Sequence, residues 1–189
     1  MSYRYLGQVF SYKHESSFST LSYHAVMERR NDMGHLVTVR DYESADCEAI
    51  VQLFYRTVHV INAADYSAEQ FDAWAPAHVD AETWDLSFRG HDSVVAERDG
   101  EIVGFADMAA DGYLDRLYVS ADHQCQGIAT MLCDRLELGR NNAKHFTTHA
   151  SITAKGFFEH RGYSVTVCQQ VIRHGIALTN YVMVKPNTH

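Results

Sequence analysis

From Leu36 onward the chain switches between two hydrophobic periods. "LVTVRDY" alternates apolar and polar residues as a half-buried strand does, and "SADCEAIVQLFYRTVHVI" sets Ala49, Ile50, Leu53, Phe54 and Val58 at helical spacing behind Ser44, read as the cap. "YSAEQFDAW" opens with Ser67 and Gln70 in capping-box register, Pro76 closes that short helix, and a second helical segment centres on Trp84. "SVVAERDGEIVGFADM" is two alternating runs joined by Asp99-Gly100, a strong hairpin signal. "YLDRLYVS" is a further strand, and "GIATMLCDRLELGR" follows with Ile128, Met131, Leu132 and Leu136 on one helical face. The strand "HFTTHAS", the helix "ITAKGFFEHR" ended by Gly162, and the runs "YSVTVCQQVI" and "IALTNYVMV" meeting at His174-Gly175 complete the chain. Residues 1–35 show no clear period: "ERRNDMGH" reads as polar linker, and the segment is assigned as an N-terminal extension with no chemistry.

The order strand, helices, three strands, helix, strand, helix, two strands is that of a mixed α/β sheet. If "YLDRLYVS" and "HFTTHAS" are parallel, the helix between them makes a right-handed crossover. A length of 189 residues with 46% hydrophobic composition suits one domain with a proper core.

Composition narrows the chemistry. No run of about 18 apolar residues exists, and "MSYRYLGQVFSYKHESS" lacks the basic-then-apolar layout of a secretory signal, so a cytoplasmic location without membrane contact is expected. The four cysteines, Cys47, Cys125, Cys133 and Cys168, show no CxxC spacing and read as free thiols, without zinc. A net charge of -8 argues against a nucleic-acid partner and is compatible with cationic substrates. His145 and His149 share a strand face but lie about 13 Å apart at about 3.3 Å per residue, too far to chelate one ion, so no metal is expected.

The stretch "HQCQGIATML" carries the sharpest signal. An anion is held by a cluster of free backbone N–H groups, which the first turn of a helix supplies together with the positive end of its dipole. Gly127 lets a ligand approach the backbone, Ala129 is small, and Thr130 adds a hydroxyl donor. An ordinary strand-to-helix turn has the same local pattern. Neither GxGxxG nor a P-loop GK[ST] is present, which removes the two common phosphate-loop rivals.

In context, Gln124, Cys125, Gln126, Gly127, Ile128 and Ala129 after "LDRLYVS" resemble the acetyl-CoA signature of the GNAT N-acetyltransferases: Gln or Arg, two residues, Gly, one residue, then Gly or Ala. "ASITAKGFFEHRGYS" is similar to the family's second cofactor-flanking segment, and its "SITAKxFFExxGY" run resembles a small bacterial branch, the YafP type. The resemblance covers about residues 36 to 186, within a domain assigned as 36–189. It implies the acyl-CoA N-acyltransferase fold, a mostly antiparallel central sheet flanked by helices, and acetyl-CoA as co-substrate. Leu117, Tyr118 and Val119 would then bind the pantetheine arm as an added strand does. Residues Cys125 to Thr130, with Gln126 and Ile128 among them, would cradle the pyrophosphate, Gln124 would fill the signature's first position, and Ser151 would be a polar cofactor contact.

The resemblance also implies direct acetyl transfer to an amine, which needs a base, an oxyanion donor and an acid for the leaving thiolate. Asp115 is the expected base, with Asp107 and Asp111 as weaker alternatives, and the Val119 amide is the expected oxyanion donor. Cys125 reads as a packed thiol and not a nucleophile. The family's usual acid, a Tyr, is matched here by Phe158, which cannot donate a proton. Tyr163 is the first substitute, followed by Tyr118, Tyr181 or solvent. Tyr66, Phe71, Trp74 and Trp84 lie where the family walls its acceptor pocket, and Tyr66, Trp74 and Trp84 are taken as pocket residues favouring an aromatic or apolar small amine. A protein N-terminal or lysine acetyltransferase, and an acyl-CoA-binding regulatory module, are the alternatives; a homodimer is left open.

Overall fold

A computed structural model describes residues 27–30, 36–140 and 142–187. Both hairpin signals form as read. β3 (Asp92–Arg98) turns through Asp99-Gly100 into β4 (Glu101–Met108), and β7 (Ser164–Arg173) turns through His174-Gly175 into β8 (Ile176–Pro186). Asp99 and His174 sit at φ 53° and 48°, the left-handed backbone that a tight two-residue hairpin requires.

With β1 (Met27–Arg30), β2 (Leu36–Asp41), β5 (Tyr113–Val119) and β6 (His145–Ser151), the described strands form one sheet in the order β1-β2-β3-β4-β5-β6-β8-β7. Every neighbouring pair is antiparallel except β5 and β6. The polar-linker reading of "ERRNDMGH" needs correction: Glu28 to Arg30 belong to β1 and pair with β2. Three charged residues out of four hide a strand from pattern reading, since an edge strand gains its pairing from the neighbour and not from burial. The rest of the N-terminal extension lies outside the described residues.

Helices cover both faces. On one, α1 (Cys47–Ile61), α2 (Ala68–Trp74) and α3 (Ala81–Arg89) bury Ile50, Leu53, Phe54, Val58, Trp84 and Phe88 against Val95 and Phe105. Ala49 is exposed instead of joining that stripe. On the other face, α4 (Ile128–Leu138) and α5 (Ile152–His160) cover the sheet, and all four positions predicted for α4, Ile128, Met131, Leu132 and Leu136, are buried.

Two caps separate good from incomplete sequence signals. Ser67 and Gln70 exchange the two bonds of a capping box at 3.3 and 2.9 Å. Ser44 does not cap α1. A 3-10 turn over Ser44–Asp46 precedes the helix, and the Asp46 carboxylate takes the Glu43 N–H at 2.9 Å while Arg40 holds it at 2.8 and 2.9 Å. The partner that selects Asp46 comes from β2, so local spacing does not reveal it.

Helix α4 lies close on β4 because Gly104 leaves room: a Cβ there would stand 3.1 Å from Ile128 Cγ2 and 3.2 Å from Leu132 Cδ1. Gly104→Val should therefore cost about 1–3 kcal/mol by overpacking. The check is denaturant unfolding, and an unchanged midpoint would show that α4 gives way freely.

Candidate active site

The site begins with an irregularity in β5. Asp107 pairs with Arg116 and Met108 with Leu114, which leaves Asp115 without a partner across β4. This is a β-bulge, and a bulge bends its strand and re-aims the extra side chain. Pairing of β5 with β6 stops at Leu114, one residue before it, whereas β6 pairs with β8 along its whole length. Beyond Leu114 the two parallel strands part and leave a cleft of about 480 Å³.

The parted edge presents unpaired backbone. Ser120 N–H donates to Val103 C=O at 2.8 Å, so the two-residue alternation of an antiparallel ladder ties Tyr118 to β4 and turns the Leu117 and Val119 amides to the cleft. The backbone of Tyr118 thus faces the wrong way for the added-strand contact that the resemblance implies. Gln124 donates its side-chain amide to the carbonyls of Val119 at 2.6 Å and Ser120 at 3.1 Å, so it shapes the loop from within.

At the cleft's far end Gly127 caps α4 at φ 80°, with nothing within 4 Å of where its Cβ would be. Cys125 is also left-handed, at φ 58°. Left-handed residues ahead of a helix turn successive N–H groups into a concavity that suits an anion. Cys125, Gly127, Ile128, Ala129 and Thr130 line the cleft, while Gln126 turns away to accept from Arg98 at 3.3 Å. Cys125 is exposed, which corrects its reading as a packed thiol. Ser151 lines the opposite wall as the N-cap of α5, accepting the Ala154 N–H at 3.0 Å and keeping its hydroxyl hydrogen to donate.

A second cavity of about 380 Å³ adjoins the first, between α2, α3 and the β7–β8 turn. Asp115, Trp74 and Tyr118 line both. The Asp115 side chain is 7% exposed, and its Oδ1 has no hydrogen-bond partner among the described residues. Burial, then the neighbouring Asp107 charge, push its carboxyl up to about 7. Its cationic neighbour Arg116 is engaged elsewhere: Nε and Nη2 bind Asp107 at 2.8 and 3.0 Å, and Asp115 Oδ2 is 3.5 Å away. Burial opposes charge on Asp107, but Arg116 and the His91 bond at 2.6 Å hold it below the usual carboxylate range. His91, Asp107 and Asp115 bring one ligand-type atom each within 4.8 Å of one another, and the Arg116 guanidinium contacts both carboxylates.

Four residues expected at the site take other roles. Tyr163 is not in the cleft. It is buried behind α4 and α5, where its hydroxyl donates to Glu137 at 3.0 Å; burial first and Glu137 next raise it beyond the usual phenol range. Tyr66 lines neither cavity: it donates to Thr179 C=O at 2.7 Å, accepts from Ile152 N–H at 2.9 Å and packs edge-on against Trp74. Trp84 touches the second cavity but is 1% exposed in the core, so its ring is wall support and not contact surface. Asp111 accepts the Tyr113 N–H in a turn, away from both cavities. The aromatic spacing of α2 and α3 showed that the rings gather but not which way each faces.

Asn62 carries no sequence signal, and His149 enters the sequence reading only as half of a rejected metal pair with His145, yet both line the cleft. Asn62 donates to Thr153 at 3.1 Å, and burial lowers the His149 imidazole below its usual value. Inward placement of alternate residues on "HFTTHAS" was the available signal for His149.

A cleft edged by unpaired strand amides and closed by a helix N-terminus now has relatives to set beside it. The family model described as an acetyltransferase (GNAT) domain matches residues 62–185. The chain belongs to the GNAT family. It is 30% identical over 147 residues to the uncharacterized N-acetyltransferase YafP of Escherichia coli K12, covering 78% of this chain and 94% of that one. A GCN5-related N-acetyltransferase structure from Rhodopseudomonas palustris superposes with a TM-score of 0.76 at 32% identity, covering 79% of this chain and 94% of that one. The PaiA N-acetyltransferase of Thermoplasma acidophilum, solved with coenzyme A, shares the fold at a TM-score of 0.65 and 16% identity, covering 80% and 99%. YncA of Salmonella typhimurium, solved with acetyl-CoA, shares it at 0.62 and 19%, covering 81% and 95%. The GNAT fold and an acetyl-CoA-dependent acyltransferase activity follow for this chain. Its residues fit that co-substrate, since the open β5 edge can pair an extended amide chain and the loop before α4 can receive a pyrophosphate.

Two measurements probe this GNAT site. A non-glycine residue in the left-handed backbone costs about 1–2 kcal/mol, and a side chain at Gly127 would enter the cleft end. Gly127→Trp should weaken acetyl-CoA binding at least about tenfold in calorimetry with the fold retained; unchanged affinity would sink the phosphate-loop assignment. A carboxyl raised above its unfolded value favours the folded state at low pH and loses that advantage as pH climbs. The Tm of Asp115→Asn should therefore gain on wild type between about pH 4 and 7 and hold level above. A flat difference would argue against burial as the cause.

Proposed function

We propose that this enzyme moves the acetyl group of acetyl-CoA directly to the primary amine of a small, aromatic or apolar molecule, with Asp115 as the base. The observation that carries the reading is the shared wall: Asp115, Trp74 and Tyr118 line both the cofactor cleft and the second cavity. A reacting amine in the second cavity would meet the thioester beside them. The cavity's volume of about 380 Å³ suits a small ligand. The apolar part of its wall, Phe54, Trp74, Val79 and Tyr118, favours a flat or apolar acceptor body.

Bound acetyl-CoA supplies an activated thioester. Alkyl ammonium groups titrate near 10, so the acceptor must lose a proton first. A carboxylate poised near 7 with one free oxygen is suited to take it, directly or through one water. The oxyanion donor best supported is the Leu117 amide instead of Val119: along the strand Leu117 is about 7 Å from Asp115 and Val119 about 13 Å, beside the loop. For the acid the reading turns from Tyr163 to Tyr118. It shares the wall with Trp74 in both cavities, and burial above all raises its phenol, so it stays protonated at neutral pH. Phe158 therefore does not argue for lost catalysis.

The test is thiol release from acetyl-CoA over a panel of aromatic amines, polar amines and peptides. Turnover should be confined to small amines. Asp115→Asn should lower kcat/KM by about 10²–10⁴ and remove the acid limb near pH 7. Turnover on peptides alone would overturn the acceptor class, and an unchanged limb would eliminate the base.

A further inference from the structure

Asp115 lies beside an arginine, and an aspartate in a close ion pair with arginine is a poor base because the cation favours the charged form. Sequence adjacency of Asp115 and Arg116 invites that pairing. The fold loosens it to a single 3.5 Å contact.

We propose that Asp107 is a positioning residue for the base: it grips the Arg116 guanidinium at two points and so keeps that cation from neutralising Asp115. The distances decide the matter. Asp107 takes Nε at 2.8 Å and Nη2 at 3.0 Å, a two-point arrangement that suits a planar guanidinium, whereas Asp115 Oδ2 stands at 3.5 Å from one nitrogen. The Ser87 hydroxyl accepts from the same Nη2, and the guanidinium carbon lies 4.2 Å over the Phe88 ring and 5.2 Å from that of Trp84. Asp107 is itself fully buried and steadied by His91 Nδ1 at 2.6 Å.

The register makes this grip available. Asp107 and Arg116 face each other across β4 and β5, and the bulge turns Asp115 out of that pairing. The groups acting on Asp115 are Tyr113, Arg116 and Tyr118 of its own strand, Asp107 of β4, His91 before β3 and Arg173 at the β7–β8 turn, while His78, Asp80 and His174 share the second cavity with it and His123, Cys125 and His149 the cleft. Among them Arg116 is in ion-pair contact with Asp115. With Asp107 neutral, the guanidinium loses its fixed counter-charge and has Asp115 as the nearest carboxylate. A proton then leaves Asp115 at lower pH and the base becomes weaker.

The inference rests on the proposed role of Asp115, and the experiment separates the two. The Asp115 carboxyl carbon is titrated by ¹³C NMR in the full chain as wild type, Asp107→Asn and Ser87→Ala, with acetyl-CoA affinity as the check on folding. The Asp115 midpoint should fall by at least about one unit in Asp107→Asn and by less in Ser87→Ala. The acid limb of kcat/KM should move with it while KM for acetyl-CoA holds. An unchanged or raised midpoint in a folded Asp107→Asn overturns the proposal. An unchanged midpoint in Ser87→Ala overturns it whether or not Asp107→Asn folds, because a fall in Asp107→Asn alone then reports only the lost Asp107 charge. A midpoint that falls while the rate limb stays supports the grip and overturns Asp115 as the base.

Discussion

One extra residue in β5 is the constraint on which this site depends. A strand in regular register would carry its pairing with β6 onward and bury its amides in a ladder. The bulge at Asp115 ends that pairing at Leu114, and the parted strands leave donors and acceptors that in a closed sheet would be satisfied. Unmet backbone groups are costly when buried and useful when a ligand completes them. The same displacement frees Asp115 from the cross-strand pair and turns it to the wall between two cavities.

Charge then separates the roles of two neighbouring carboxylates. Asp107 is enclosed by Arg116 and His91 and stays ionised, while Asp115, nearly as dry but poorly paired, holds its proton into the neutral range. Buried ion pairs are weak contributors to stability because desolvation offsets attraction, so the cluster makes better sense as a device that divides two carboxyls by environment. A comparable group on the other face has a plainer task. Glu137 gathers Tyr163, Arg161 and Lys185 within 3.0 Å, tying α4, the end of α5 and β8 together behind the cofactor loop.

Several features were legible residue by residue. The two hairpin turns, the buried stripe of α4, the capping box at Ser67 and the open glycine at the helix start each depend on neighbours within a few positions, where periodicity and turn chemistry act. The aromatics between Tyr66 and Trp84 show where such reading stops. Spacing gathers them, but Tyr66 is fixed by carbonyl and amide groups more than 80 residues away, and Trp84 by a core that includes β4. Tyr163 departs from its expected place for the same reason: its partner, Glu137, is on a helix whose packing the local sequence does not encode.

The sequence by itself determined the order of elements, the loop able to hold an anion and the presence of an Asp on the strand leading to it, because these are short-range consequences of side-chain size, period and backbone freedom. Tertiary structure decided which groups face the reaction. Sheet order inserted β8 between β6 and β7, register placed Asp107 opposite Arg116, and the bulge took Asp115 out of that cross-strand pairing. A carboxyl's basicity is set by the charges and the water around it. Those come from strands and helices distant in the chain, so no reading of "YLDRLYVS" alone could have supplied it.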